Sequence, residues 1–149
     1  MTQAGPASGP RLNLHATTVV LGRRALLIRG PSGSGKTSLA LRLMSLGAGL
    51  VADDRTILSK TPDGPPIASA PDVIRGLIEA YGVGVLRVEP APPAPLVAVA
   101  DLGEIEAERI PPRRTTRLID WELDLFHKPE TGPFHDMLFL YLTGKACLT

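Results

Sequence analysis

"GPSGSGKT" (Gly30–Thr37) decides how the rest of the chain is read. It fits G-x-x-x-x-G-K-[ST] in full, the loop whose backbone N–H groups converge on phosphate oxygens. Glycine is required where the chain takes conformations that a side chain obstructs. In this pattern Gly30, Pro31, Ser32, Gly33, Ser34 and Gly35 form the cradle, Lys36 brings a cation to the β/γ-phosphates, and the Thr37 hydroxyl is placed for Mg²⁺. The flanks agree. "ALLIR" (Ala25–Arg29) enters as a short buried strand, and a helical pattern leaves from Lys36, with Leu39, Leu43 and Leu46 at i, i+4 and i+7 and Ala40 and Met44 widening the stripe. Gly47 and Gly49 are stop signals. A helix starting there points its partly positive end at the same anion, so a nucleotide such as ATP is the expected ligand.

Outward from the loop, "GLVADD" (Gly49–Asp54) reads as a brief buried strand ending in two acids. Crevices at the carboxyl ends of parallel strands are where such sheets bind ligands. Asp53 and Asp54 there either divide two jobs, accepting a hydroxyl proton and supporting a metal, or cap an acidic turn. "NLHATTVVL" (Asn13–Leu21) has β character, with a turn at "GRR" (Gly22–Arg24). Strict alternation groups His15 with Asn13 and Thr17, which leaves it either a surface residue or a participant. "RTILSKTPDGPPIAS" predicts a hairpin around Pro62-Asp63-Gly64. Asp72–Gly84 reads as helix or loop, while "VGVLRVE" and "PLVAVADL" read as strands joined by the stiff connection "EPAPPAPL". Near the end, Phe134, Leu138 and Tyr141 or Leu142 fall at helical spacing before Gly144.

Bulk properties narrow the class. The chain of 149 residues fits one domain, with 44% hydrophobic and 21% charged residues. The 15 Gly, 15 Pro and 4% aromatics favour short elements joined by turns. A net charge of +1 gives no electrostatic case for nucleic acid or an anionic membrane, and no apolar run approaches the roughly 20 residues of a membrane span. The single cysteine, Cys147, cannot form an internal disulfide, so the cytoplasm is the expected compartment. His127 and His135 have no ligand spacing that suggests zinc. The expected organisation is a tail over residues 1–12 followed by one α/β, P-loop-containing domain with a mixed sheet over residues 13–149.

Taken together, His15 opening a strand, Gly30–Thr37, and Val51-Ala-Asp-Asp54 resemble the catalytic domain of HPr kinase/phosphorylase, in that order and spacing. Thr37 replaces the usual serine and keeps the hydroxyl. "GLIEAYGVGVL" (Gly76–Leu86) is similar to the family's Ile-Glu-x-Arg-Gly-x-Gly segment, with Glu79 at the acidic position. The resemblance runs from about Asn13 to Asp101, some three-fifths of the chain.

It implies a phosphoenolpyruvate carboxykinase-like fold, hexameric assembly, ATP and Mg²⁺ as cofactors, and a serine of the phosphocarrier HPr as acceptor. It further implies that Lys36 binds phosphate, Thr37 and Glu79 support Mg²⁺, His15 participates, and one of Asp53 and Asp54 is the base, with Asp54 preferred. Phosphorolytic reversal would run through the same residues.

Three departures stand out. Tyr81 occupies the position of the family's arginine, with Arg75 as a nearby substitute. The resemblance implies a short form of the enzyme, with no regulatory domain expected ahead of the matched segment. Beyond Asp101 the match fades, and Arg113, Arg114 and Arg117 stand either as basic site residues or as a solvated patch. Two other readings of the P-loop remain: a small-molecule kinase or NTPase, for which no arginine-rich lid segment is visible, and a nucleotide-dependent binding module without transfer activity.

Overall fold

The computed structural model describes residues 10–149. Ala25 to Ile28 are all fully buried, because the strand they form is covered on both faces. That strand, β3 (Arg24–Arg29), lies in a nine-stranded mixed sheet. Its other members are β1 (Arg11–Leu14), β2 (Thr17–Leu21), β4 (Gly49–Ala52), β5 (Thr56–Thr61), β6 (Gly64–Ser69), β9 (Ala94–Glu106), β10 (Thr115–Leu118) and β11 (Trp121–Pro129). β7 (Leu77–Ala80) and β8 (Gly84–Arg87) form a separate hairpin. The helices are α1 (Lys36–Leu46) and α2 (Phe134–Thr143).

The order is β1-β5-β6-β9-β3-β2-β4, with β11 also paired to β9 and β10 to β11. β3–β9 and β9–β11 are parallel and the other pairings antiparallel. Since β2 is antiparallel to both β3 and β4, those two run the same way. The P-loop and the two aspartates therefore leave the sheet at one end. Leu26 and Ile28 face α1 and α2, packing with Leu39, Leu43, Leu138 and Leu142. Ala25 and Leu27 face the opposite side, where the sheet curls and Leu58, Ala68 and Leu96 cover them. Each fully buried leucine contributes about 2 kcal/mol by apolar transfer.

Several expectations meet corrections. Residues 1–9 of the expected tail lie outside the described residues, but Arg11 and Leu12 begin β1, paired with Ser59 and Leu58. The chain breaks between β1 and β2 at His15–Ala16, so alternation does not carry across: Asn13 is exposed and Thr17 fully buried. Leu46, the final residue of α1, is 44% exposed just before Gly47 (φ 127°) turns the chain toward β4. Asp72–Gly84, read as helix or loop, is a short 3₁₀ turn (Asp72–Ile74) followed by the strand β7. The β10–β11 hairpin lacked any assignment. Its turn, Ile119-Asp120, takes positive φ at both residues (45° and 61°) without glycine, so the usual hairpin signal is missing.

Candidate active site

The P-loop leaves β3 at Gly30, where the backbone approach is closest. A Cβ there would lie 2.7 Å from Ser34 Oγ and 3.2 Å from Gly103 N, and φ is 151°. The Ser34 N–H donates to Pro31 O (3.0 Å) and closes the loop. Gly35, at φ 103°, opens α1, and among the described residues no side chain caps that helix end. The first-turn N–H groups and the helix dipole are thus left directed at the loop. Lys36 is 8% exposed, and its Nζ donates to Gly30 O (2.9 Å) and Pro31 O (3.2 Å). Ser34 Oγ is buried without a hydrogen-bond partner among the described residues. An orphaned hydroxyl beside a cradle that a Cβ would fill fits a ligand rich in oxygen acceptors.

Asp53 forms the floor. It is 7% exposed at the end of β4, and its Oδ1 accepts from Thr17 Oγ1 (2.9 Å) and Thr37 Oγ1 (3.1 Å). Its Oδ2 accepts the Glu79 backbone N–H (3.1 Å). One carboxylate therefore ties together β2, α1 and β7. Asp54 forms the rim. The Arg55 N–H donates to Asp53 O (2.8 Å), a tight turn that puts Asp54 at φ 71° and sends its side chain out to 68% exposure. Asp54 Oδ1 lies 2.7 Å from His15 Nε2, and the Asp54 N–H donates to Thr17 Oγ1 (3.2 Å). Thr17 thus bonds both aspartates.

His15, Thr37, Asp53, Asp54 and the Glu79 backbone are brought together; the Glu79 side chain is exposed on β7. The later arginines are engaged elsewhere. Arg113 pairs with Asp124 (2.8 Å), Arg114 makes a bidentate pair with Glu106 (2.9 and 3.1 Å), and Arg117 donates to Asp120 O. Arg114 holds the Glu106 carboxyl below the usual range. Tyr81 is fully exposed, and Arg75 caps the 3₁₀ turn without an ion-pair partner among the described residues. Thr17 and the Arg29–Asp101 pair (3.0 Å) were not visible as site residues in the sequence. Asp101 also accepts the Gly103 N–H (2.9 Å), fixing the stretch against which Gly30 packs. An acid closing the apolar run "LVAVAD" was the only available signal.

This arrangement coincides with a family match. The family model for the HPr Serine kinase C-terminal domain matches residues 8–91, more than half of the chain. The chain belongs to that family.

All of the site residues from His15 to Glu79 fall within the match. The HPr kinase/phosphorylase of Lachnoclostridium phytofermentans is 39% identical over 80 residues, 54% of this chain and 26% of that protein. The Caldicellulosiruptor bescii protein of the same name is 40% identical over 80 residues, and the Bordetella pertussis one 38% over 84 residues. The aligned stretch covers 26% and 27% of these two, so the match spans about a quarter of each of the three relatives. The structure of the Hpr(Ser) kinase/phosphatase from Coxiella burnetii matches 90% of this chain and 89% of that one, with a TM-score of 0.70 at 21% identity. At that identity the likeness is one of fold. It extends past Ala91, where the family match ends, and the expected α/β P-loop class with a mixed sheet holds. No helix among the described residues is long and apolar enough to cross a membrane.

Proposed function

We propose that this chain is the catalytic part of an ATP- and Mg²⁺-dependent protein serine kinase whose acceptor is a serine of the phosphocarrier HPr, with phosphorolysis as the reverse direction. This places it in the cytoplasm, regulating a phosphotransferase system and assembled as a hexamer, as the family resemblance implies. The observation that carries the reading is the division between the aspartates. Buried Asp53 holds the P-loop hydroxyl of Thr37, while its neighbour Asp54 stands exposed beside His15.

Lys36 and the loop N–H groups bind and orient the phosphates. Thr37, Asp53 and Glu79 offer hard oxygen donors and would hold Mg²⁺, which supplies charge neutralisation at the β- and γ-phosphates. The His15 contact occupies Asp54 Oδ1 and leaves Oδ2 to accept the serine proton. The serine oxygen then bonds to the γ-phosphorus in line, the bond to the β-bridging oxygen breaks, and ADP leaves. In the reverse direction inorganic phosphate attacks the phosphoserine phosphorus, pyrophosphate forms, and Asp54 returns the proton to the serine oxygen.

The test compares two variants by calorimetry and phosphate transfer. Lys36→Ala is expected to abolish transfer, and Asp54→Asn to bind ATP normally while losing transfer. A fully active Asp54→Asn protein would remove Asp54 as the base.

A further inference from the structure

The chain passes from β1 to β2 through a tight turn. The Ala16 N–H donates to Leu14 O (2.9 Å) and puts His15 at the tip. Two residues on, Thr17 opens β2 opposite Ile28 of β3 and is 0% exposed. Two contacts from this short segment reach Asp54. His15 Nε2 lies 2.7 Å from Asp54 Oδ1, and Thr17 Oγ1 accepts the Asp54 backbone N–H at 3.2 Å. The side chain and the backbone of Asp54 are thus held by neighbouring residues.

Asp54 needs that hold. Its φ is 71°, and the Arg55 N–H donates across it to Asp53 O (2.8 Å). This is the γ-turn of positive φ, which is rare and strained. Such a conformation persists only where surrounding groups over-determine it. Among the described residues the Asp54 N–H has Thr17 Oγ1 as its one acceptor. A carboxylate oxygen only accepts, so the Thr17 proton lies toward Asp53 Oδ1 (2.9 Å) and a hydroxyl lone pair faces the Asp54 N–H. Asp53 Oδ1 also accepts from Thr37 Oγ1 (3.1 Å). Three hydrogen bonds therefore run from the P-loop hydroxyl to the backbone of Asp54. A hydroxyl gives and takes at this point, whereas valine has the same shape and does neither.

We infer that Thr17 is a positioning residue for phosphate transfer: its hydroxyl holds Asp54 in the strained turn and so sets where the Asp54 carboxylate meets the acceptor. The inference rests on Asp54 being the base of the proposed function. Without the Thr17 hydroxyl, Asp53 still accepts from Thr37 Oγ1 and the Glu79 N–H, so the floor stays tied. The turn at Asp54 is then free to relax and the base moves, while the phosphate cradle stays in place.

The test compares Thr17→Val and Thr17→Ser with the unaltered chain in steady-state transfer to HPr, and repeats Thr17→Val in the Asp54→Asn background. Thr17→Val should lower kcat about 10- to 100-fold, the scale of a misplaced reacting group, with KM for ATP within about twofold. Thr17→Ser should recover kcat to within about threefold. In the Asp54→Asn background Thr17→Val should cause no further loss, because residues that act as a unit are not additive. A crystal structure of Thr17→Val should show Asp54 out of positive φ, a readout independent of activity. Thr17→Ala serves for both readouts where valine does not pack. Full kcat, a loss carried by KM for ATP, an equal loss in both backgrounds or an unmoved Asp54 overturns the inference while the proposed function stands. A fully active Asp54→Asn protein, or an unaltered chain that transfers no phosphate, overturns the proposed function and the inference with it.

Discussion

The floor and the rim of the site are built from adjacent residues and behave as opposites. On the floor, Asp53 is 7% exposed and accepts three hydrogen bonds from three elements. On the rim, Asp54 has 68% of its side chain exposed and, among the described residues, its carboxylate meets only His15. The same side-chain chemistry therefore performs two tasks, because one left-handed residue turns the chain between them. Burial with full satisfaction makes a structural clamp that also holds Thr37. Exposure with one partner leaves a group free to exchange a proton.

The contrast should break most sharply in transfer. Asp54→Asn keeps a residue that tolerates positive φ, so stability should change by less than about 0.5 kcal/mol. Phosphate transfer to the acceptor should fall on the order of 10²- to 10⁴-fold, as a mass-spectrometric time course would record. Asp53→Ala should do the reverse of sparing the fold. It strands the Thr17 and Thr37 hydroxyls and the Glu79 N–H, and urea titration should show a loss of about 2–4 kcal/mol.

Gly30→Ala should come next, at about 1–3 kcal/mol in the same titration with loss of ATP binding, because its Cβ meets Ser34 Oγ and the Gly103 backbone. Thr37→Val removes the hydroxyl on Asp53 and should cost about 1 kcal/mol, while Thr37→Ser should restore stability and binding.

Far from both regions, Tyr141 donates to Asp124 at 2.6 Å, and burial and that bond push its pKa up to about 12 from 10.0. The folded state therefore holds this proton more tightly than the unfolded state. Its contribution is complete below pH 10 and is lost as pH rises toward 12. Tyr141→Phe should flatten the fall of the urea midpoint across that window and leave transfer unaffected.

The floor was only half legible in the sequence. The P-loop and α1 stood out because phosphate binding demands glycine and lysine at set spacings, and the amphipathic stripe named Leu39 and Leu43 as core. The pairing of Thr17 with both aspartates did not stand out, since a threonine on a strand looks the same whether it bonds solvent or Asp53. The rim depended on resemblance, because His15 sits in the turn between β1 and β2, where strand alternation has no meaning. β7 was taken for helix or loop because Gly76, Gly82 and Gly84, all at positive φ, surround it with turn signals. The β10–β11 hairpin escaped notice for a related reason. It turns at Ile119-Asp120 without the residues that normally mark such a turn.

The most direct measurement is the intact mass of HPr from the same organism after incubation with this chain, ATP and Mg²⁺. The account predicts a gain of one phosphate, mapped to a serine and absent with Lys36→Ala. No gain, with ATP binding shown in the same preparation, would contradict it and leave the chain a nucleotide-binding protein that acts on another acceptor or on none.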